Sequence, residues 1–505
     1  MTAPAIKDLL GRVQALTREI QDLYLLDAIP WVIGYSGGKD STAILQLVWW
    51  AIARLPVEQR RKTIHVITTD TLVESPVVSA WVKASHERMR EAAVKRQMPI
   101  EPRMLYPEID QTFWVNLIGR GYPAPRHKFR WCTERMKINP SNRFIREVVR
   151  ASGEAYLVLG TRKAESARRS ATMTKHEADR VRDRLSPNSK LPNSLIYTPV
   201  EDWTNDDVWL YLMQVPNAWG YSNKDLMTLY AGASADNECP LVVDTSTPSC
   251  GNSRFGCWVC TMVERDRSME AMIQNDEEKE WMQPLLDLRN EIDDIEREKN
   301  EGWREVRRMN GRVQLFNGEP IRGPYTRERR EHWLRRLLET QTQLRRDGPP
   351  HVRDIELIRP EELREIRRIW RVDKHEFDDS LPQIYEDATG EVYPRAVETD
   401  AMLGADEYAV LSEVCGEDKL LLGLTAGLLD TERQYRSMAR RVGVYKALED
   451  ALDRQGFESD EAAVAHAKEK EALRQRPHGE QIMLLKGLGP SLSEDPKVGD
   501  GKVGA

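Results

Sequence analysis

The sequence predicts an α/β protein: a parallel sheet covered by helices, then a Cys-rich loop, then a mainly helical C-terminal half. Three observations carry this. Short β-rich runs alternate with helical patterns over about residues 28–235, the order that produces parallel strands joined by crossover helices. Four of the six cysteines fall between residues 239 and 260. After about residue 265 the texture changes to helical patterns rich in Trp, Arg and Glu. A chain of 505 residues, 40% apolar and 31% charged, is globular in composition and too long for one ordinary core.

The elements follow in order. Residues 1–27 read as an amphipathic N-terminal helix, with Ile6, Leu9, Leu10, Val13, Leu16, Ile20 and Leu23 at helical spacing. Residues 28–235 form the sheet domain, with strands expected at Trp31–Tyr35, Ile64–Thr68, about Met104–Tyr106, Tyr156–Leu159 and Ile196–Thr198. Ligands of such sheets sit at the carboxyl ends of the strands. Residues 236–265 are the Cys-rich segment, 266–455 an Arg-rich helical domain, and 456–505 a largely flexible tail by its small and charged composition. The apolar stretches AILQLVWWAIARL and LLLGLTAGLL are shorter than the roughly 18 residues that cross a bilayer. With no basic-then-apolar export signal, a cytoplasmic protein without membrane contact is expected. In that reducing compartment, clustered cysteines point to a metal centre rather than to disulfides.

The first strand runs into Ser36-Gly37-Gly38-Lys39-Asp40-Ser41 and then into a helix. A Walker loop placed on Gly38 and Lys39 fails twice, with Ile33 at the first glycine position and Asp40 at the magnesium-binding hydroxyl position. What remains still suits an anion. The glycines let backbone amides approach, the helix start attracts negative charge, and Lys39 neutralises it. An ordinary Gly-rich turn capped by Ser41 is the plainer alternative, but it gives the Lys-Asp pair no purpose.

SGGKDS resembles the PP-loop of the ATP pyrophosphatases, an adenine-nucleotide α-hydrolase-like family that includes phosphoadenylyl-sulfate (PAPS) reductases, tRNA thiolation enzymes and N-type synthetases. The resemblance implies ATP and Mg²⁺ as ligands and cleavage between the α- and β-phosphates, with Ser36, Gly37, Gly38, Lys39, Asp40 and Ser41 holding pyrophosphate. Four further stretches resemble the PAPS reductase branch in order and spacing. TTDT at 68–71 ends the second strand at the ligand edge and offers Thr69 and Asp70 to ribose, adenine or a metal. RWCTERMKINP at 130–140 joins Cys132 to Arg130 and Lys137. GTRKAESARR at 160–169 offers Gly160, Arg162, Glu165, Ser166, Arg168 and Arg169 to phosphate, with Arg162 and Arg168 the strongest candidates. TPVEDWTNDDVWLYL at 198–212 matches the closing strand and helix; there Thr204 and Asp207 form a helix-start box, and Trp203 and Trp209 are expected to pack. Lys39, Asp40, Asp70 and Arg162 are the expected catalytic residues.

Cys239, Cys250, Cys257 and Cys260 are spaced C-x10-C-x6-C-x2-C. The last pair can present two thiolates to one metal from a single turn. Sequence alone leaves zinc and iron–sulfur open. The PP-loop, WCTERMK, CGNSRFGCWVC and the long Arg-rich half together resemble the DndC family, the sulfurtransferases of bacterial DNA phosphorothioation. That resemblance implies a four-iron, four-sulfur (4Fe-4S) cluster on Cys132, Cys250, Cys257 and Cys260, with Cys239 as the spare. It also implies DNA as substrate, a cysteine desulfurase as sulfur donor, and DndD and DndE as partners. Cys415 is expected to be an inert helical core residue. PAPS reductases use a cysteine near the chain end and none follows Cys415, so sulfur transfer is expected over reduction. A tRNA thiolation enzyme, a PAPS reductase-like enzyme and a structural iron–sulfur subunit of a DNA-modifying complex are the competing expectations.

The net charge of -7 gives no global sign of a polyanionic partner. Locally it differs, because residues 304–374 hold 18 Arg and one Lys against 12 Asp plus Glu. Trp333, Leu334, Leu337 and Leu338 are expected to pack, leaving Arg329, Arg330, Arg335, Arg336, Arg345 and Arg346 facing solvent or phosphate. A salt-bridged helical face is the alternative.

Overall fold

The computed structural model describes residues 3–474 apart from 166, 179, 181–183, 189, 234–255, 310, 395–404, 437, 439, 456 and 458. The chain divides into two compact units, Met1–Glu301 with Tyr325–Ala396, and Gly302–Pro324 with Val397–Ala505.

In the first unit, helix α1 (Ala3–Leu25) precedes strand β1 (Trp31–Gly34), and α2 (Lys39–Ala53), β2 (Ile64–Thr69), α3 (Pro76–Lys95) and β3 (Ile100–Leu105) follow. After α4 (Asn139–Ser152) come β4 (Ala155–Val158), α5 (Ala167–Ala178), β5 (Leu185–Pro187), β6 (Ser194–Tyr197), α6 (Asn205–Gln214) and α7 (Asn223–Gly232). The sheet order is β3-β2-β1-β4-β6-β5. All neighbours are parallel except the β5–β6 pair. The chain thus steps outward from β1 through β2 to β3 and then returns to the other side of β1 with β4. That reversal is a topological switch point, and it opens a crevice at the carboxyl ends of β1 and β4.

The strands form where they do because both faces are covered. Trp31, Val32 and Ile33 are all fully buried, as an apolar run in a central parallel strand must be. One face packs against Leu9 and Ile20 of α1, Ile44 and Val48 of α2, Met89 of α3 and Trp209 of α6. The other packs Val32, Ile67 and Ala155 on Ile145 and Val148 of α4. Leu10 is 43% exposed and is the exception in the expected apolar face of α1. Two strands differ from expectation. β3 begins at Ile100, four residues earlier than expected, because its Ile-Glu-Pro-Arg alternation buries Ile100 and Pro102 and exposes Glu101 and Arg103. β5 was not expected at all; it is a three-residue antiparallel edge strand ending in Pro187, a position where the missing amide costs nothing.

The same unit continues through α8 (Arg267–Asn275), α9 (Gln283–Ile292), α10 (Ile295–Asn300), α11 (Arg327–Asp347), α12 (Pro360–Arg368) and α13 (Leu381–Thr389). Side chains stitch these helices to the segment 113–119. The Trp114 indole donates to the Leu357 carbonyl at 2.7 Å and the Trp370 indole to the Ile118 carbonyl at 3.1 Å. Trp333, Leu334, Leu337 and Leu338 are buried as expected.

The second unit contains a short hairpin, β7 (Leu315–Phe316) with β8 (Glu319–Pro320), and helices α14 (Ala405–Cys415), α15 (Lys419–Arg436), α16 (Val444–Gln455) and α17 (Asp460–Arg474). Helix α17 lies within the stretch expected as tail. Cys415 closes α14 and is half-buried. Among the described residues no helix is long and apolar enough to cross a membrane.

Candidate functional site

The turn between β1 and α2 is held open by its own hydroxyls. The Ser41 hydroxyl lies 3.0 Å from the Gly38 carbonyl, to which it donates, and it accepts from the Ser36 amide at 3.2 Å. Gly37 sits at φ +76, and a Cβ there would lie 2.5 Å from the Val82 methyl Cγ2. Only glycine fits, by conformation and by space. Gly38 starts α2 without a side-chain cap; the Lys39 amide meets the Tyr230 hydroxyl, and the amides that follow it in the first turn are the ones a bound anion would take. The Lys39 ammonium sits 3.1 Å from Asp40 Oδ2 and 5.6 Å from the ring centre of Tyr230.

The loop after β4 closes on this turn from across the switch point. A Cβ on Gly160 would meet the Asp40 carbonyl oxygen at 3.0 Å and the Ser41 amide at 3.3 Å, so the two loops touch backbone to backbone. Arg162 is 3% exposed. Its Nε donates to Asp40 Oδ1 at 2.8 Å and its Nη1 to the Trp203 carbonyl at 3.2 Å. Glu165 accepts from the Arg162 amide. The carboxyl end of β2 supplies Thr69, bonded to Ser141 at 3.0 Å, and Asp70, whose Oδ1 accepts from the Leu72 amide at 2.9 Å. Ser166 and the side chains of Arg168 and Arg169 lie outside the described residues.

One cavity of about 1010 Å³ spans these parts, at the upper end of the range for small-molecule sites. Ser36, Gly38, Lys39, Asp40, Thr69, Asp70 and Arg162 line one portion, and Glu74, Lys137 and Ser141 another. Apolar Ile67, Met104, Leu157 and Leu159 form part of its wall, a surface suited to a planar base. For a divalent cation, Asp70 is the better-fitting carboxylate in the cavity. Both Asp40 oxygens already face Lys39 and Arg162, whereas among the described residues the Asp70 carboxylate, beyond Leu72, meets only Lys83, at 3.9 Å.

The Glu74 end of the cavity leads to the cysteines. Glu74 and Cys257 form an antiparallel bridge, and the Trp258 amide donates to the Val73 carbonyl at 2.9 Å. Glu74 Oε1 accepts from the Thr71 hydroxyl at 3.0 Å and pairs with the Lys137 ammonium at 3.3 Å, with the Cys257 thiol 3.7 Å away. The Cys260 amide donates to the Cys257 carbonyl, the compact turn expected of C-x2-C. Burial pushes the Cys257 thiol up to about 12 and raises that of Cys132, to which the charge of Cys260 adds. The charges of Cys257 and then Glu74 raise Lys137 above its ordinary value against burial. Cys260 therefore stands within electrostatic reach of both Cys132 and Cys257. Cys239 and Cys250 lie outside the described residues, and among the described residues no three His, Cys, Asp or Glu side chains are grouped to hold a metal ion. Thiolates are the donors an iron–sulfur cluster takes; the three described ones are not grouped, and Cys250, the fourth expected ligand, is not among the described residues.

Of the six arginines expected to face solvent or phosphate, Arg330 is buried and five form ion pairs, as in the salt-bridged alternative. Arg330 is 1% exposed and is paired with Glu376. Arg329 pairs with Glu301, Arg335 with Asp387, Arg336 with Glu291 and Arg346 with Asp347, while Arg345 donates to the Ile355 carbonyl. Carboxylates from outside the helix reach Arg329, Arg330, Arg335 and Arg336, whereas Arg346 pairs with the adjacent Asp347 and stays exposed. Thr204 and Asp207 form the expected reciprocal cap, and Trp203 and Trp209 are buried.

Two contributors escaped the sequence reading. Tyr230, from α7, accepts from the Lys39 amide at 3.3 Å through its hydroxyl, and nothing in its local pattern signals a role some 190 residues from the turn. Glu74 sits in a loop and carries no spacing signal of its own.

Residues 30–262 match the family model described as the phosphoadenosine phosphosulfate reductase domain. A protein of Methanocaldococcus jannaschii described as uncharacterized is 27% identical over 185 residues, 37% of this chain, and the match spans 32% of that relative's length. A crystal structure of phosphoadenylyl-sulfate (PAPS) reductase from Candida auris, a phosphate complex, aligns over 44% of this chain and 91% of that one, at 14% identity and a TM-score of 0.26. The family match runs from the start of β1 through the Cys257–Cys260 turn. Residues 30–262 are thus similar to the phosphoadenosine phosphosulfate reductase domain.

Proposed function

We propose that this protein is an ATP pyrophosphatase and sulfurtransferase that adenylates a DNA backbone phosphate oxygen, so that sulfur from a cysteine desulfurase replaces that oxygen. The observation that carries the reading is one cavity lined by the anion turn and by Glu74 and Lys137, with the Cys257 thiol 3.7 Å from Glu74. In the first step a DNA phosphate oxygen bonds to the α-phosphorus of ATP and pyrophosphate leaves with the bridging oxygen. In the second, the terminal sulfur of a persulfide bonds to the DNA phosphorus and AMP leaves with the displaced oxygen; a thiol then attacks the persulfide's inner sulfur, supplying the two electrons, so that a disulfide forms and the phosphorothioate is released.

The residues divide that work. The amides at Gly38 and the start of α2, with Lys39, hold the leaving pyrophosphate. Arg162 fixes Asp40, and through it the register of Lys39. Magnesium, when bound, spreads charge on the triphosphate, and Asp70 is the carboxylate proposed to hold it. A four-iron, four-sulfur cluster on Cys132, Cys250, Cys257 and Cys260 belongs to the same reading, as do DndD and DndE as partners. Mass spectrometry of dinucleotides from the DNA of cells with and without this gene tests it. A sulfur-for-oxygen mass change that depends on the gene is expected, and DNA identical in both cells rejects the DNA product.

The match to the reductase family also favours reduction of an adenylylated sulfate. Sulfite release from that substrate with a thiol reductant distinguishes the two readings.

A further inference from the structure

The Arg-rich helices hold most of their cations in ion pairs, and among the described residues two cations without a carboxylate partner lie beside Cys132. Residues 126–129 form a tight turn closed by two backbone hydrogen bonds, Phe129 amide to Arg126 carbonyl at 2.8 Å and Arg126 amide to Phe129 carbonyl at 3.3 Å. The base of the turn is fixed. Arg126 pairs with Asp293 at 2.5 Å, and the Thr261 hydroxyl donates to the Pro125 carbonyl at 2.7 Å. Its tip is open: His127, Lys128, Phe129 and Arg130 are all exposed, Phe129 by 43%.

Among the described residues neither Lys128 nor Arg130 has a carboxylate partner. Arg135, one turn further on, reaches only neutral groups, Gln111 at 3.2 Å, Asn116 at 3.1 Å and the Tyr122 hydroxyl at 3.2 Å. Glu134 is the exposed acid among them. The Phe129 ring is backed by Tyr122 at 6.1 Å, and Tyr122 by Trp131 at 5.8 Å, so the exposed ring stands on a rigid aromatic support. Two unpaired cations flanking a supported, solvent-facing ring match the chemistry of a nucleic acid strand, whose phosphates take the cations and whose unstacked base takes the ring. The turn also leads straight into the helical segment Thr133–Ile138, whose last two residues, Lys137 and Ile138, line the cavity. At helical rise that separation is on the order of 10 Å, a few nucleotides of strand.

We propose that the 127–130 turn is the DNA-strand contact that feeds the cavity, with Lys128 and Arg130 on backbone phosphates and Phe129 stacked on an unpaired base. The proposal rests on the reading of DNA as substrate and moves the contact away from the Arg-rich helices. The test is fluorescence anisotropy of the full-length protein with a labelled single-stranded oligodeoxynucleotide over a salt series. Lys128→Glu with Arg130→Glu is expected to weaken binding more than tenfold and to flatten the salt slope by about two. Phe129→Ala is expected to cost roughly tenfold with the slope unchanged. The charge-preserving pair Lys128→Arg with Arg130→Lys should bind like the parent, which separates lost contact from lost folding. Arg335→Ala with Arg346→Ala should change binding less than twofold. If the wild type binds and the turn variants bind equally, or if the helix variant is the one that fails, the turn assignment is overturned while the DNA reading stands. A wild type that cleaves ATP but binds no oligonucleotide overturns both.

Discussion

Arg162 Nε donates to Asp40 Oδ1 at 2.8 Å, tying the loop after β4 to the first turn of α2 across the switch point of the sheet. The arginine is buried, and its remaining contacts are to protein groups such as the Trp203 carbonyl. It therefore acts by fixing Asp40 and Lys39 rather than by meeting solvent.

Removing that tie should disorganise the turn. Arg162→Ala is expected to lower kcat/KM for ATP by about a hundredfold, the scale of a small misplacement of binding groups. Arg162→Lys should recover only part, since a single ammonium cannot reach both Asp40 and the Trp203 carbonyl from one fork. Steady-state kinetics with both variants checks this, and an alanine variant with parental kinetics contradicts it.

Gly37→Ala combines a positive φ with a Cβ placed 2.5 Å from Val82 Cγ2. The conformation alone costs about 1–2 kcal/mol in an L-residue. The variant should show a lowered Tm and weakened ATP binding. Adding Val82→Ala should relieve the collision but not the backbone strain, so the double variant should recover partially in calorimetry.

His86 is buried, with Nε2 at 2.8 Å from the Thr68 hydroxyl, which in turn donates to the Tyr35 carbonyl just before the anion turn. Burial, helped by Arg90, lowers its pKa to about 4. A histidine held neutral in the fold takes up its proton sooner in the unfolded chain. Its contribution to stability is thus complete above the unfolded pKa of about 6.5 and is lost as pH falls toward 4, by about 3 kcal/mol at most. Denaturant melts across that window should show a decline that His86→Phe largely removes.

Anaerobically purified protein should contain iron and acid-labile sulfide, and each of Cys132→Ala, Cys257→Ala and Cys260→Ala should lose most of both. Cys415→Ala, in the other compact unit, should retain them. Equal metal content in all four variants would place the centre elsewhere.

The sheet was readable where burial leaves a one-dimensional trace. β1, β2, β4 and β6 are short apolar runs because both of their faces are covered, and the Thr204–Asp207 cap was readable because it closes within three residues. β3 was read short because Glu101 and Arg103 interrupt its apolar residues. The Ser36–Ser41 turn announced itself by its own residue types. Tyr230 did not, because its contact with Lys39 exists only once α7 folds back on the turn. The Arg-rich half misled for the same reason in reverse. A count of charges along the chain registers Arg330 as a free cation, whereas only the packing of α11 against the following loop brings Glu376 to it.

The most direct test of the account is the identity of the products released from ATP by the purified protein and its Lys39→Ala variant. AMP and pyrophosphate, formed by the wild type and sharply reduced in the variant, are expected from a turn that grips the β- and γ-phosphates as a leaving group. ADP and inorganic phosphate would contradict it.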